Sequence, residues 1–318
     1  MRRRWQWMLS VCVLSMLGRA GAAEGPRRDL GHEVLATNDG WASLGAGTTG
    51  GSLALPEQIY VATNRAEFLA ALNDGAALTT SPSTPSAAAK IIYVKDTIDF
   101  NVDDTGQPLT FEDRETADDT RPNYFGVLFQ VHDGEVDITN ASDLVTVSWN
   151  RFQHHDKVML IGSSDSATAD RGKLRVTLHH NFFEDVGQRT PRVRFGQVHI
   201  YNNYYKVTDA GAYQYSWGVG IESAIYAENN AIRLPAEVTL DRVISRLNGS
   251  TIFATGTLVR RDGGGWQAAD VIQEWNALND PDLSTSVGWV PLASLAVEPT
   301  DRVPRDVRSG AGPFECDH

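Results

Sequence analysis

Cysteine is scarce in this sequence of 318 residues, which contains two. Cys12 falls within residues 1–23, which have the layout of a cleaved export signal: an arginine-rich start, an apolar stretch and small residues at the end. Removal of that segment leaves Cys316 alone, so an intrachain disulfide is excluded. Stability must then come from a large hydrophobic core, which residues 24–318 are long enough to form.

Long apolar runs and basic residues are also in short supply. The N-terminal apolar stretch, Trp7 to Leu17, is too short to cross a bilayer, so we expect a secreted protein without a membrane anchor. Lysine and arginine total 28 against 40 aspartates and glutamates, a formal net charge of −12, and loss of four signal arginines would bring it near −16. Such a chain repels nucleic acid and anionic lipid, and we expect a monomer that binds neither.

A repeated pattern occupies the middle of the chain. Its members share apolar first and third residues and an asparagine at the sixth position: VTVSWNRF (145–152), VTLHHNFF (176–183), VHIYNNYY (198–205) and IYAENNAI (225–232). The asparagines recur at intervals of 31, 22 and 27 residues, with strand patterns and no helix pattern between them. This recurrence predicts an all-β fold, a parallel β-solenoid. A β-sandwich is the alternative, but its hairpin turns are not found in the sequence.

The recurring asparagines, Asn150, Asn181, Asn203 and Asn230, have a structural role in such a solenoid. We expect each to adopt a left-handed backbone conformation at a turn. Its side-chain amide would hydrogen-bond to the equivalent asparagine in the coils above and below. Aromatic residues beside the asparagines would stack and fill the interior.

Both ends of the solenoid are predicted to be covered. Residues 64–75 predict an N-terminal capping helix, with a capping box formed by Asn64 and Glu67 and with Gly75 at its end. The repeat fades beyond Leu234, and the C-terminal segment that includes residues 269–278 is expected to pack along the solenoid. Covered ends are needed because exposed strand edges pair with other chains.

The segment QRTPRVRFG (188–196) places Arg189, Arg192 and Arg194 within six positions of an acidic chain. Arginine forks suit carboxylates, phosphates or sulfates, so the cluster is a candidate anion site. The odd spacing of Arg189 and Arg194 would put them on opposite faces of an extended backbone, and a bend at Pro191 could make them converge. Pairing of these arginines with the protein's own carboxylates is the alternative.

A second cluster, HDGEVDI (132–138), is rich in carboxylates. Asp133 and Asp137 lie four residues apart with Glu135 between them. Hard oxygen ligands along an extended segment suit calcium, whereas zinc would want histidine or cysteine. Surface carboxylates without a ligand are the alternative.

Histidine is concentrated in the same region, which raises a zinc site or a histidine base as hypotheses. No His-Glu-x-x-His motif occurs, so we expect these side chains to serve packing and hydrogen bonding. Lys157, just before an apolar strand, is by itself an ordinary solvated charge. The histidines are His132, His154, His155, His179, His180 and His199.

The run DGEVDITNASDLVTVSWNRFQHHDKVMLIGSSDS (133–166), followed by LRVTLHHNFFEDVGQRTPRVRFGQVHIYNNYY (174–205), resembles the pectate lyases of polysaccharide lyase family 1. The similarity extends to GWASLGAGTTGG (40–51) and YSWGVGIESAIYAENN (215–230), so it covers most of the mature chain. These motifs are long and specific. The resemblance implies a right-handed parallel β-helix that cleaves polygalacturonate by calcium-dependent β-elimination.

The resemblance also implies roles for individual residues. Arg189 matches the base that removes the proton from C5 of the uronate, Arg194 matches an arginine that binds a substrate carboxylate, and Lys157 matches a substrate-binding lysine. Asp133 and Asp137 match two ligands of the implied cofactor, Ca²⁺. Since the pKa of arginine lies above about 12, neighbouring cations would have to lower it, and an alkaline activity optimum is expected.

One segment differs from the pattern of the pectate lyases that the sequence resembles. Only FEDRETADDTRPN (111–123) stands where they have a far longer stretch, with further coils, another calcium-binding aspartate and a Trp-x-Asp-His motif. We therefore expect 24–318 to form a single, shortened β-helix domain that lacks central coils. Asp118 or Asp119 is a candidate replacement for the missing calcium ligand.

The shortened segment keeps two other functions open. One is a catalytically impaired β-helix that binds acidic polysaccharide through Arg189, Arg194 and Lys157. The other is a pectin lyase acting on methyl-esterified substrate. Such sites use aromatic residues and do not need calcium, so the presence of Asp133 and Asp137 argues against this function.

Overall fold

A computed structural model gives the fold and describes residues 30–37, 39–45, 47, 49–76, 88–95, 98, 107, 134–291 and 297–312. Apart from Leu30, these residues belong to one compact unit, Gly31–His318. Several sequence predictions lie outside the described residues and stay predictions. They concern the signal 1–23, the shortened segment 111–123 with Asp118 and Asp119, His132, Asp133 and Cys316.

Short strands dominate the described residues. They are β1 (Ile59–Ala62), β2 (Ile91–Val94), β3 (Val136–Ile138), β4 (Val145–Ser148), β5 (Arg151–Gln153), β6 (Met159–Ile161), β7 (Val176–His179), β8 (Phe182–Glu184), β9 (Arg192–Val193), β10 (Gln197–Tyr201), β11 (Tyr204–Lys206), β12 (Trp217–Gly220), β13 (Ala224–Glu228), β14 (Ala231–Leu234), β15 (Ile244–Leu247), β16 (Ile252–Thr255), β17 (Leu258–Arg261) and β18 (Trp266–Ala268). The α-helices are α1 (Arg65–Leu72), α2 (Val271–Leu278) and α3 (Val303–Gly310).

The strands form a parallel β-helix, as the sequence predicts. Each coil supplies one strand to each of three sheets, which we name sheet A (β3, β6, β9, β12, β15), sheet B (β4, β7, β10, β13, β16) and sheet C (β5, β8, β11, β14, β17, β18). Neighbouring coils pair in parallel, and β18 alone adds to sheet C antiparallel to its neighbour. The described residues therefore contain five stacked coils, each contacting only the coils next to it.

The predicted alignment of the four repeats is the register of sheet B. Val145 pairs with Val176, Val176 with Val198, and Val198 with Ile225. Val176, Val198 and Ile225 are fully buried, because side chains alternate along a strand and the first and third positions face the interior.

The asparagine ladder is confirmed, with one correction. The Asn181 amide donates to Oδ1 of Asn203 at 3.0 Å, and its own Oδ1 accepts from the amide and backbone nitrogens of Asn150 at 3.2 and 3.0 Å. The same pattern joins Asn203 to Asn230. The left-handed conformation predicted for these asparagines is wrong. The residue before each rung adopts it, namely Trp149, His180, Asn202 and Asn229, with φ between 50° and 60°. That turn rotates the next asparagine inward, where its amide reaches the neighbouring coils.

Aromatic side chains stack beside the ladder, also as predicted. Phe152, Phe183 and Tyr205 form a column with ring centroids 5.1 and 4.9 Å apart and nearly parallel planes. A second pair, Phe182 and Tyr204, stacks at 5.1 Å. Each such pair contributes about 0.5–1.5 kcal/mol beyond its area burial, so the column ties successive coils together.

The predicted N-terminal helix is present as α1, packed on β1 and β2. The Asn64 side chain accepts from the Glu67 backbone N–H at 3.0 Å. The reciprocal half of the predicted capping box is displaced by one residue, because Glu67 Oε2 accepts from the backbone N–H of Thr63 at 2.8 Å. Gly75 ends the segment in a left-handed conformation and donates to the Ala70 carbonyl at 2.8 Å.

The C-terminal segment packs along the solenoid, as the sequence predicts. Helix α2 buries Val271, Ile272 and Trp275 against the last coil, which covers its strand edges. Helix α3 buries Val303 and Val307 against the outer aromatic residues of sheet C. Among the described residues, no helix is both long and apolar enough to span a membrane.

Candidate active site

The outer face of sheet A carries most of the predicted site residues. Asp137 pairs with Leu160, Leu160 with Arg192, and Arg192 with Gly218, so these residues form one row across four coils. Their neighbours Ile138, Ile161, Val193 and Val219 are buried in the core. Since side chains alternate along each strand, the row containing Asp137 and Arg192 faces outward.

Lys157 and Arg189 lie where two strands of sheet A begin. Lys157 forms a parallel bridge with Gln188 on the next coil, and the Met159 N–H donates to the Arg189 carbonyl at 2.7 Å. Both side chains are half-buried. Asp137, Lys157 and Arg189 therefore lie on three successive coils, on the side of the solenoid formed by sheet A.

The turn that carries Arg189 is firmly held. Arg189 has φ of 60°, a left-handed conformation that costs a non-glycine residue about 1–2 kcal/mol. On the next coil, the Ser216 carbonyl accepts from both the backbone N–H and the hydroxyl of Thr190, at 2.9 and 3.0 Å. These bonds fix the turn. Left-handed residues also form turns on the other coils, for example His180 and Asn202, so this conformation belongs to the fold.

Arg194 is paired within the protein. Its Nε donates to Asp165 at 2.5 Å, and its Nη1 donates to the carbonyls of Gly162 and Ser163 at 2.9 and 3.4 Å. The residue is 8 % exposed. The alternative raised from the sequence, pairing with the protein's own carboxylates, therefore holds for this arginine.

Asp165, the partner of Arg194, is itself positioned by a distant residue. Asn248, on the loop after β15, donates to Asp165 Oδ2 at 2.8 Å. The hydrogen bonds from Asn248 and Arg194 hold the pKa of the Asp165 carboxyl below its usual range. Asp165 is therefore charged at neutral pH and balances the Arg194 guanidinium.

Arg192 differs from its neighbour. Its side chain is half-buried, its Nε is buried without a hydrogen-bond partner, and no described carboxylate forms an ion pair with it. Burial lowers the pKa of Arg192, and the positive charges of Arg194 and Arg189 lower it further. Within the cluster, the charge of Arg194 is thus balanced by Asp165, whereas no described carboxylate balances the charge of Arg192.

Tyr215 lies among the three arginines and was missed from the sequence. The charges of Arg192, Arg189 and Arg194 act on its hydroxyl. Burial raises the pKa of Tyr215, although these cations act in the opposite direction. Arg189, Arg192 and Arg194 therefore all lie near Tyr215.

Two glycines on the next coil make room for the arginines. A Cβ added to Gly218 would lie 3.2 Å from Cβ of Arg192 and 2.9 Å from the Tyr215 ring. A Cβ on Gly220 would lie 2.2 Å from the Val193 carbonyl oxygen and 2.9 Å from Cγ of Arg194. The motif YSWGVG is thus the available sequence signal for this part of the site.

The described residues do not by themselves form a calcium site. Asp137 is exposed on the outer face, and its Oδ1 accepts from the Leu160 N–H at 2.9 Å. Its predicted partner Asp133 is outside the described residues, within which no three candidate metal ligands come together. Calcium takes six to eight oxygen ligands, so one placed carboxylate is not a complete fit.

The histidines serve packing, as expected. His179 stacks on Tyr201 at 4.9 Å and His180 on Trp149 at 4.4 Å, on the outer side of sheet B and its turn. Burial lowers the pKa of both to about 4, so they are neutral at pH 7. They lie away from the arginine face.

A cavity of about 710 Å³ adjoins the starting edge of sheet A. Its lining includes Asp156, Asp185 and Asp209, with no lysine or arginine. Asp156 immediately precedes Lys157 along the chain. An anionic polymer would therefore be attracted to the arginine face and repelled from the cavity.

Fold and site together define a class of protein. A parallel β-helix offers an extended surface, and a cluster of guanidinium groups on one sheet of an acidic chain suits a polymer that bears carboxylates. This is the arrangement expected of a protein that acts on acidic polysaccharides.

Comparison with known proteins narrows this class. The sequence model of the pectate lyase family matches residues 86–271. Pectate lyase of Bacillus subtilis strain 168 is 30% identical over 435 aligned positions, covering 96% of this chain and 98% of that protein. The structure of a thermostable pectate lyase matches with a TM-score of 0.78 and 32% identity, over 90% of this chain and 99% of that one. The structure of a pectate lyase bound to a hexasaccharide matches with a TM-score of 0.71 and 28% identity, with the same coverage.

The chain belongs to the pectate lyase family, whose members are polysaccharide lyases. The alignment with the Bacillus subtilis protein is more than a hundred positions longer than the 318 residues of this chain. Those extra positions have no counterpart here.

Proposed function

We propose that this protein is a secreted lyase that cleaves polygalacturonate by β-elimination. The observation that carries the proposal is the position of Arg189, Arg192 and Arg194 on one coil of sheet A, near Tyr215, in a chain of net charge −12. Carboxylates are among the groups that arginine forks bind well. A related structure holds a hexasaccharide, which supports a sugar polymer as the ligand.

In the proposed reaction Arg189 acts as the base. Its unprotonated guanidine accepts the proton from C5 of the uronate, the electrons of the C5–H bond form a C4=C5 double bond, and the C4–O4 bond breaks. The departing O4 takes a proton from water. The left-handed turn at Arg189, tied to Ser216 through Thr190, would hold the base in place through this step.

The cationic side chains around Arg189 would orient the substrate and stabilise charge. Negative charge develops toward the uronate carboxylate as C5 loses its proton, so fixed positive charge beside that carboxylate favours the transition state. Lys157 lies on the coil preceding Arg189, next to Gln188, which supports this role for it. Arg194 is assigned a substrate carboxylate by the family resemblance, and its Nη2 has no acceptor among the described residues.

Calcium is proposed as the cofactor, with Asp133 and Asp137 among its ligands. When bound, it would withdraw charge from the uronate carboxylate and make the neighbouring C–H more acidic. Asp137 supports the proposal because it lies on the same outer face as the arginines, two coils before Arg192.

A second function is favoured by a specific observation. The alignment with the Bacillus subtilis relative has over a hundred positions without a residue of this chain, and the sequence locates the shortening at 111–123. A protein that lost coils beside the calcium site would bind polygalacturonate without cleaving it.

One assay separates the two functions. The C4=C5 product absorbs in the ultraviolet, so polygalacturonate is incubated with the protein across pH 6–11, with calcium or with chelator. We expect the absorbance to rise with time, and to rise faster toward alkaline pH. Chelator should abolish this rise, and the Arg189→Lys variant should not show it. Absence of product at every pH, with polygalacturonate still bound, establishes the second function. Product unaffected by chelator contradicts the calcium role, and an acidic optimum contradicts Arg189 as base.

A further inference from the structure

Arg192 is the arginine of the cluster for which the family resemblance implies no role. Its Nε is buried without a hydrogen bond, and no carboxylate of the described chain pairs with it. A buried donor left unsatisfied costs about 1–3 kcal/mol, and more for a charged group.

The surroundings of Arg192 add to this cost. Arg194 and Arg189 are the like charges that act on it, and the charge of Asp165 acts in the opposite direction but more weakly. Asp165 is occupied, since Arg194 and Asn248 hydrogen-bond to its two oxygens. The free protein therefore keeps an unfavourable guanidinium on this face.

The position of Arg192 makes it accessible to a long ligand. It lies on β9 at the centre of sheet A, in the outward row between Leu160 and Gly218. Gly218 has no side chain to cover it, and an added Cβ there would press on Arg192. A polymer lying across the coils of sheet A would pass directly over this row.

We propose that Arg192 binds a carboxylate of the polygalacturonate chain, and that this anion supplies the partner that no described carboxylate provides. Because Arg194 is already paired with Asp165, Arg192 would be a second carboxylate-binding arginine beside it. This inference deepens the proposed function and rests on it for the identity of the ligand.

The test compares Arg192→Gln and Arg192→Lys with the wild type in the full chain. Arg260→Gln is the matched control, because Arg260 is exposed on sheet C, remote from the arginine face. Binding of trigalacturonate is measured by calorimetry, KM and kcat on polygalacturonate by ultraviolet absorbance, and stability by thermal unfolding.

Loss of a charge-assisted hydrogen bond corresponds to about a ten- to hundred-fold change in an equilibrium constant. Arg192→Gln should therefore raise Kd and KM about ten- to hundred-fold, with a smaller change in kcat. Its Tm should equal or exceed that of the wild type, because the change removes like-charge repulsion. Arg192→Lys should retain part of the affinity, and Arg260→Gln all of it.

Two results overturn the inference. Wild-type affinity in Arg192→Gln shows that Arg192 does not bind the carboxylate. A fall in Tm, or failure to fold, in both Arg192 variants shows a structural role instead. Failure of the proposed function is recognised separately, because the wild type would then form no unsaturated product while trigalacturonate binding still reports on Arg192.

Discussion

The asparagine ladder offers the sharpest test of what holds the coils together. Asn181 is fully buried and takes part in four side-chain hydrogen bonds: its Oδ1 accepts two from Asn150, and its amide donates to the Val147 carbonyl and to Asn203 Oδ1. Asn181→Ala removes all four. At about 1 kcal/mol net for each bond, the free energy of unfolding should fall by roughly 4 kcal/mol.

The same substitution at Asn150 is the control. Asn150 is exposed, and its side chain makes two bonds, to the Ser148 carbonyl and to Asn181 Oδ1. Water can replace both, so Asn150→Ala should cost less than about 1 kcal/mol. At about 2–4 °C per kcal/mol for a domain of this size, Tm should fall by roughly 10 °C for Asn181→Ala and by at most a few degrees for Asn150→Ala.

Thermal unfolding and urea denaturation of the two variants provide the measurement. Equal losses at both positions would refute the reasoning, because burial and the number of bonds would then not determine the cost. A large loss for Asn150→Ala alone would place the critical contacts of the ladder at its exposed end.

Other predictions follow from the same contacts. The pKa of His179 and that of His180 are each lowered to about 4, mainly by burial. The charge of His199 contributes to this lowering of the pKa of His179, and the charge of His179 does the same for His180. An unfolded histidine titrates near 6.5. The unfolded chain then binds more protons between those values, so the free energy of unfolding should fall as pH drops from about 6.5 to 4. In urea titrations at several pH values, His179→Asn should reduce this dependence. Gly220→Ala should cost about 1–3 kcal/mol in unfolding free energy and weaken polygalacturonate binding, because its methyl group would press on Arg194 and on the Val193 carbonyl. Gly265→Ala, which meets no atom within 4 Å, should have no effect in either assay.

The coil register could be predicted because it follows from a local pattern. Apolar residues at alternate positions and an asparagine at a fixed offset gave the alignment of β4, β7, β10 and β13 directly. The error in the ladder has a local cause as well. Each turn of the ladder needs one residue in a left-handed conformation and one side-chain amide that points inward. The sequence prediction assigned both to the same asparagine. In the structure His180 adopts the left-handed conformation, and the amide of Asn181 hydrogen-bonds to Asn203.

The partners of the arginines could not be predicted in the same way. Asp165 lies 29 residues from Arg194 and Asn248 lies 83 residues from Asp165. They meet because the coils of β6, β9, β12 and β15 stack, and the sequence contains no local signal for which loop residues then face each other. The distinction between a neutralised Arg194 and an unpaired Arg192 therefore depends on the folded structure.

Two unfavourable features lie close together on the coil of β9. Arg189 adopts a left-handed conformation and Arg192 has no ion-pair partner among the described residues, and the two lie three residues apart on the face proposed to bind substrate. The support for that coil lies directly behind it: Tyr205 donates to the Thr190 carbonyl, and the Trp217 indole N–H donates to the Tyr205 hydroxyl. Tyr205 is also the last ring of the aromatic column. The column and the ladder both include the coil of β9, through Tyr205 and Asn203, and stabilise it. This coil can therefore retain a left-handed turn and a guanidinium without a described partner, and the binding of a carboxylate would relieve the second of these costs.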